Sequence, residues 1–141
     1  MKNNDNFWTN SDVGLLIVRI ALGGIIFFHG FHKITHGVAD QFQLLASNGI
    51  PGIFIYFVYV SEVLAPVLIV LGILTRLSNL TIIVTMIVVF YALPFPIGLD
   101  DHGAMNIESQ LYFLLLSVAL FFTGPGRYVL KKNNSGNWLL D

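Results

Sequence analysis

Four apolar segments, each long enough to cross a lipid bilayer, limit what this chain can fold into more than any other feature. They lie near residues 13–32, 53–74, 77–93 and 107–122. A hydrocarbon core about 30 Å thick needs roughly 17 to 25 residues of α-helix. Of the 141 residues, 55% are apolar and 11% are charged, whereas soluble domains carry roughly 25% charged residues. The pattern therefore predicts an integral membrane protein surrounded by the lipid bilayer.

These segments predict an all-α fold, a membrane-spanning four-helix bundle that occupies residues 1–141 as a single domain. Between the first two spans, Val38, Phe42 and Leu45 recur at helical spacing before a Gly-Ile-Pro-Gly break. That spacing predicts a short interfacial helix between helices one and two. The first span has no A-x-A-like exit, so we expect a retained helix rather than a cleaved signal.

Basic residues are distributed unequally about the four spans. With an even number of spans, both termini and the short turn between the second and third spans share one side of the membrane. That side is expected to be cytoplasmic, because cytoplasmic segments carry an excess of lysine and arginine. The other side has Lys33 near a helix end. The basic residues on the predicted cytoplasmic side are Lys2, Arg76, Arg127, Lys131 and Lys132.

Composition excludes two classes of function. The chain contains no cysteine, which rules out disulfides, thiol catalysis and thiolate metal ligands in this subunit. Any redox chemistry must therefore come from a bound cofactor, a metal or a partner. A net charge of −1 gives no sign of the basic surface that nucleic acids require, so no nucleic-acid partner is expected.

One arginine lies inside the first predicted span. A charge at the centre of a spanning helix costs about 2.5 to 3.5 kcal/mol on insertion scales, so it usually faces a partner or a cavity. At 3.6 residues per turn, one face of this helix carries Arg19, Gly23, Ile26, Gly30 and Lys33. Because small residues form the usual contact surface between membrane helices, this face is predicted to turn toward the bundle and to bring Arg19 to an anion.

Glu62, inside the second span, is the candidate anion. Pro66 lies four residues later and cannot donate to the carbonyl of Glu62, which predicts a kink and a polar pocket within the membrane. Counted from the span ends at about 1.5 Å per residue, Arg19 and Glu62 differ in depth by about 9 Å. Contact would need extended side chains, a bridging water or a ligand. Two interpretations stay open: a bundle-locking ion pair without chemistry, and a carboxylate that serves a quinone-like head group.

A second group of polar residues lies near the end of the first span. His29, His32 and His36 are spaced i, i+3 and i+7, which places them on one helical face if the helix continues that far. Gly37 argues against that continuation. Imidazoles and carboxylates could hold Zn²⁺ or Fe²⁺ or relay protons, but histidines at a helix end often lie among headgroups without a ligand, so no metal site is predicted. The last connection would supply Asp100, Asp101, His102 and Glu108.

Short motifs in a fixed order carry a family resemblance. RIALGG and HGFHK in the first span, SEVLAPVLIVLGILTR in the second and ESQLYFLLLSVALFFTGPGRYVL near the end together resemble the DoxX family of small four-helix membrane proteins. The resemblance covers roughly residues 13–130. It implies a multi-pass protein of the bacterial inner membrane and an oxidoreductase or quinol-oxidase-type subunit. The positions that match the family pattern are Arg19, Gly23, His29, Gly30, Lys33, Glu62, Gly72, Arg76, Glu108, Gly124 and Gly126.

The resemblance and the intramembrane polar residues together favour a quinone-interacting subunit of a membrane oxidoreductase system, acting with a protein partner or as a homo-oligomer. The predicted catalytic residues are Glu62, Arg19 and His29. A quinone-like ligand would be contacted by these three residues and by Lys33 and Glu108. Two alternatives stay open: a structural or assembly protein with a bundle-locking ion pair, and a component of a small proton or ion transporter.

Overall fold

The computed structural model describes residues 10–92, 98–99, 103, 105–130 and 137–140. This part of the chain is helical, as the apolar segments predict, and it contains four long helices, one short helix and a 3₁₀ turn at Trp138–Leu140. The predicted all-α fold is confirmed. The helices are α1 (Ser11–His36), α2 (Ala39–Ser47), α3 (Phe54–Leu71), α4 (Thr75–Ala92) and α5 (Glu108–Thr123).

Three helices, α1, α3 and α4, are long and apolar enough to cross a membrane, while α5 is apolar but only 16 residues long. The short helix α2 lies between the first two long helices, where the spacing of apolar residues predicts it. Large apolar side chains such as Phe28, Tyr91 and Phe122 are exposed on the outside of the bundle. Such a surface is suited to lipid contact, because lipid chains are as apolar as the side chains that face them.

Helix α1 begins and ends with clear capping residues. The side chain of Asn10 accepts a hydrogen bond from the Asp12 amide at 3.0 Å, which satisfies one of the free amides of the first turn. The helix continues through His36 and stops at Gly37, which has φ 87° and donates to the Lys33 carbonyl. Gly37 therefore caps the helix, and the expectation that it interrupts the helix before His36 is wrong.

The predicted glycine face of α1 packs directly against α3. A Cβ atom on Gly23 would lie 2.8 Å from the carbonyl oxygen of Pro66, and one on Gly30 would collide with the carbonyl of Glu62. Arg19, Gly23, Ile26 and Gly30 are all buried. The two helices run antiparallel, so the bundle has an Arg19 end, where α1 begins and α3 ends, and a Glu62 end, where α1 ends and α3 begins.

Helix α3 departs from regular α-helical geometry around Glu62. Residues Val60–Leu64 form a π-helical turn, in which the amide of Ala65 donates to the carbonyl of Val60. Pro66 follows this turn and has no amide hydrogen to complete the α-helical ladder at Glu62. The irregularity predicted beside Pro66 therefore takes the form of a widened turn, and such turns are frequent at functional sites.

The apolar core lies between the two ends of the bundle. Ile69 is fully buried at its centre, and partly buried residues of α1 and α5 pack around the cluster. A smaller cluster of Leu45, Ile55 and Ala92 joins α2 to the Glu62 end, where Asn48 also donates to the carbonyl of Ala92 at 2.9 Å. The main cluster consists of Leu22, Ile26, Ala65, Ile69, Ile82, Met86 and Leu120.

Candidate ligand-binding site

The side chain of Arg19 is 1% exposed and donates four hydrogen bonds to backbone carbonyls. Its Nε donates to Ile69 at 2.8 Å and its Nη2 to Val70 at 2.7 Å. Its Nη1 donates to Pro125 at 2.8 Å and to Tyr128 at 2.6 Å. The expectation that Arg19 pairs with Glu62 is therefore wrong. Carbonyls of the last turn of α3 and of the segment after α5 serve as the acceptors, and we call this arrangement the Arg19 clamp.

The clamp works because a helix end offers carbonyls without intrahelical partners and a partial negative charge. Gly72 ends α3 in the left-handed region at φ 72°, and Ile73 donates back to Leu68 at 2.9 Å. A Cβ atom on Gly72 would lie 2.6 Å from Nη2 of Arg19. The glycine thus supplies both the backbone turn and the space for the guanidinium.

A second arginine anchors the same end of the bundle. Arg76 donates through Nε to the carbonyl of Phe121 at 3.1 Å and through Nη1 to the carbonyl of Trp138 at 2.7 Å. Its guanidinium also lies over the Trp138 ring, 5.3 Å from the centroid. Gly124 leaves room for it, since a Cβ atom there would lie 3.0 Å from Arg76 Nη2. Two arginines whose side chains donate hydrogen bonds to main-chain carbonyls therefore stabilise the Arg19 end.

At the other end of the bundle, Glu62 pairs with Lys33. The Lys33 Nζ and Glu62 Oε1 atoms are 2.5 Å apart, and the two side chains are 22% and 7% exposed. The other carboxylate oxygen, Oε2, is buried without a hydrogen-bond partner. Lys33 lies in the last turn of α1 and Glu62 in the π-helical turn of α3. The helical spacing of α1 places Lys33 on the inward face, but it does not mark Lys33 as the partner of Glu62.

A cavity of about 510 Å³ opens beside this ion pair. Ligand cavities in proteins typically enclose about 300 to 1,000 Å³ and combine apolar walls with a few polar groups. Residues from all five helices line this one, and the aromatic side chains Phe54, Phe57 and Phe113 form part of its wall. We call it the Glu62 cavity. Its polar lining residues are His29, Lys33, Asp40, Gln41, Glu62, Thr85, Ser109 and Gln110.

The three histidines of α1 separate into two groups. His29 lines the Glu62 cavity, and its ring meets that of Phe113 edge to face at 5.6 Å between centroids. His32 and His36 stack on each other at 4.0 Å and are exposed outside the cavity lining. Among the described residues, no group of three or more metal-ligating side chains comes together. The predicted contributions of Asp100, Asp101 and His102 lie outside the described residues.

Glu108, predicted to contact the ligand, begins α5 and forms a side-chain hydrogen bond with Tyr112. It is absent from the cavity lining, to which its neighbours Ser109 and Gln110 contribute instead. These two residues, together with Gln41 and Thr85, were not predicted as site residues. The only sequence signal for Gln41 was the amphipathic pattern of α2, which indicates that one face of this short helix packs against the bundle.

Comparison with known proteins places these features in a family. An antiparallel bundle of apolar helices, with arginines on carbonyls at one end and a polar cavity at the other, defines a small integral membrane protein. The chain matches the DoxX family over residues 14–94, and it belongs to that family. The matched residues include Arg19 and Gly72 of the Arg19 clamp, Gly23 and Gly30 of the α1–α3 contact, and His29, Lys33 and Glu62 of the Glu62 cavity.

Two curated relatives extend over nearly the whole chain. The protein named "Putative oxidoreductase CatD" from Bacillus subtilis (strain 168) is 30% identical over 135 residues, which cover 89% of this chain and 94% of that protein. "Inner membrane protein YqjF" from Escherichia coli (strain K12) is 32% identical over 130 residues, which cover 90% of this chain and 96% of that protein. No solved structure matches the chain.

Proposed function

We propose that the Glu62 cavity binds a quinone-type ring and that the protein is the quinone-interacting subunit of an oxidoreductase system in the bacterial inner membrane. The observation that carries the proposal is the Lys33–Glu62 ion pair at the wall of a largely apolar cavity. Charged side chains inside membrane helices are expensive and mark functional sites. The oxidoreductase assignment is also supported by the name of the Bacillus subtilis relative.

The lining of the cavity suits a flat ring that carries oxygen atoms at its edge. Phe54, Phe57 and Phe113 offer apolar faces and edges to such a ring. Lys33 has three ammonium donors, of which one is used on Glu62. A ring oxygen can therefore accept from Lys33, while His29 offers a further polar atom on the same wall. A purely aliphatic lipid chain would leave these polar groups without partners.

The proposed orientation puts the cavity in the outer half of the membrane. The positive-inside rule places both termini in the cytoplasm, and the cavity lies at the Glu62 end, where α1 ends and α3 begins. A quinone would then enter from the outer leaflet or past α2. Since the chain has no cysteine, the quinone would exchange electrons with a protein partner rather than with a thiol of this subunit.

Ligand binding to the purified protein tests the proposal. We would measure the Kd of decyl-ubiquinone for the protein in lipid nanodiscs by calorimetry, for the wild type and for the double variant Lys33→Met, Glu62→Leu. The double replacement keeps similar side-chain volumes, and buried ion pairs often tolerate such apolar replacement. We expect the Kd to rise at least tenfold, which corresponds to about 1.4 kcal/mol.

The matched control is Arg127→Met, which removes an exposed charge at the Arg19 end. It should bind the quinone as the wild type does. Equal affinity of the wild type and the double variant for decyl-ubiquinone would refute the proposed site.

A further inference from the structure

One oxygen of Glu62 lacks a hydrogen-bond donor. Oε1 accepts from Lys33 at 2.5 Å, whereas Oε2 is buried and has no partner. An ionised carboxylate has only acceptor sites, about four lone pairs over its two oxygens. Leaving such an oxygen buried without a donor is unfavourable. Oε2 of Glu62 therefore needs a hydrogen atom from a hydrogen-bond donor.

The neighbouring hydroxyl groups do not supply that hydrogen. Ser61, beside Glu62 in the π-helical turn, donates to the carbonyl of Val58 at 3.0 Å. Thr85, which also lines the cavity, donates to the carbonyl of Thr81 at 2.9 Å. Both donors are committed to the backbone of their own helices. A ligand in the cavity is therefore the natural source of the missing donor.

We infer that the Glu62 cavity binds the reduced, hydroxyl-bearing form of its ring ligand, the quinol, more tightly than the oxidised quinone. This inference rests on the proposed function. A quinol hydroxyl can donate to the free oxygen of Glu62 and accept from Lys33. A quinone carbonyl can only accept, so it can use a second donor of Lys33 but leaves Oε2 unpaired. The terminal torsion of a glutamate is soft, so the carboxylate can turn its free oxygen toward the ligand.

Three probes of one ring test this selectivity: decyl-ubiquinone, decyl-ubiquinol under anaerobic conditions, and the quinol with both hydroxyls methylated. The methylated compound keeps the ring and both oxygens but has no hydrogen to donate. Binding to the wild type in nanodiscs should be at least tenfold tighter for the quinol than for either of the others, because hydrogen bonds to charged groups are the strong ones.

The variant Glu62→Gln separates the donor requirement from the shape of the cavity. Glutamine has an amide that donates as well as an oxygen that accepts, so this variant should lose the preference for quinol or reverse it. Glu108→Gln makes the same chemical change on α5, outside the cavity lining, and should keep the wild-type preference. A variant Glu62→Gln that still prefers the quinol tenfold would overturn the inference.

The wild-type comparison also holds if a variant fails to fold. Equal binding of the quinol and the quinone, or tighter binding of the quinone or of the methylated compound, would overturn the inference and leave the proposed quinone site in place. Binding of none of the three probes would overturn both.

Discussion

Lys33 and Glu62 form an ion pair between the last turn of α1 and the π-helical turn of α3, with Nζ and Oε1 2.5 Å apart. The pair lies beside a close contact between the two helices, since the Gly30 backbone packs against the carbonyl of Glu62. The ion pair therefore connects the α1–α3 contact with the wall of the Glu62 cavity.

Replacing only one member of the Lys33–Glu62 pair should destabilise the protein more than replacing both. Lys33→Met leaves a buried carboxylate without its cation, at a cost of about 3 to 5 kcal/mol, whereas the double change with Glu62→Leu should recover most of that loss. Reversible unfolding in detergent, followed by circular dichroism, gives the four free energies of the cycle. Additive effects of the two single changes would show that the pair is not coupled.

The contact between α1 and α3 depends on Gly30. The change Gly30→Ala would place a methyl group against the carbonyl of Glu62 and push the helices apart, so we expect a loss of stability of about 1 to 3 kcal/mol, as for overpacked cores. Gly24→Ala is the control, because a Cβ atom there meets no other atom within 4 Å. If both variants unfold at the same denaturant concentration, the close approach of the helices is not needed.

The Arg19 clamp should contribute strongly to stability. Arg19→Leu would leave the carbonyls of Ile69, Val70, Pro125 and Tyr128 without this donor, at a cost of at least about 3 kcal/mol, given roughly 1 to 3 kcal/mol for each unsatisfied buried group. Arg19→Lys should recover little, since an ammonium cannot reach four acceptors with the geometry of a planar guanidinium.

The control for the clamp is an arginine in a different setting. Arg127 is 69% exposed and lies 3.9 Å from Asp12, and exposed pairs contribute about 0 to 1 kcal/mol. The midpoint of unfolding in detergent should therefore move far more for Arg19→Leu than for Arg127→Leu. Equal shifts would contradict a structural role for the clamp.

Gly72 should resist substitution for two separate reasons. Its φ of 72° disfavours any residue with a Cβ, and that Cβ would also meet Arg19 at 2.6 Å. Gly72→Ala is expected to cost at least about 1 kcal/mol, as a left-handed position does when it loses its glycine. Gly14→Ala, in α1 with open space around it, should instead stabilise by up to about 1 kcal/mol. The sign of the two shifts in thermal unfolding tests this account.

Periodic features of the sequence predicted much of the fold, because helical spacing is a local property. The face of α1 that carries Arg19, Gly23 and Gly30 could be identified from the 3.6-residue repeat alone. The hydrogen-bond acceptors of Arg19 could not be identified in this way. Two of its acceptors are main-chain carbonyls more than 100 residues away in sequence, and every residue type has such a carbonyl, so no pattern marks them.

The Lys33–Glu62 ion pair was not predicted for a different physical reason. Counting depth along a helix places backbone atoms but ignores the reach of side chains. Gly30 is level with Glu62, and Lys33 is three residues further along α1, about 4.5 Å at the usual helical rise. A lysine side chain is long enough to extend back over that distance. Arg19 and Glu62 do not pair, because Arg19 donates to main-chain carbonyls at one end of the bundle and Glu62 accepts from Lys33 at the other.

The central claim is that a quinone-type ring occupies the Glu62 cavity, and photoaffinity labelling tests it most directly. An azido-quinone irradiated with the protein in nanodiscs, followed by digestion and mass spectrometry, should label residues 26–33, 54–62 and 85–92, which together contribute most of the cavity wall. An excess of unlabelled quinone should abolish that labelling. Labelling spread over the exposed faces of α1 and α5, and insensitive to unlabelled quinone, would contradict the claim.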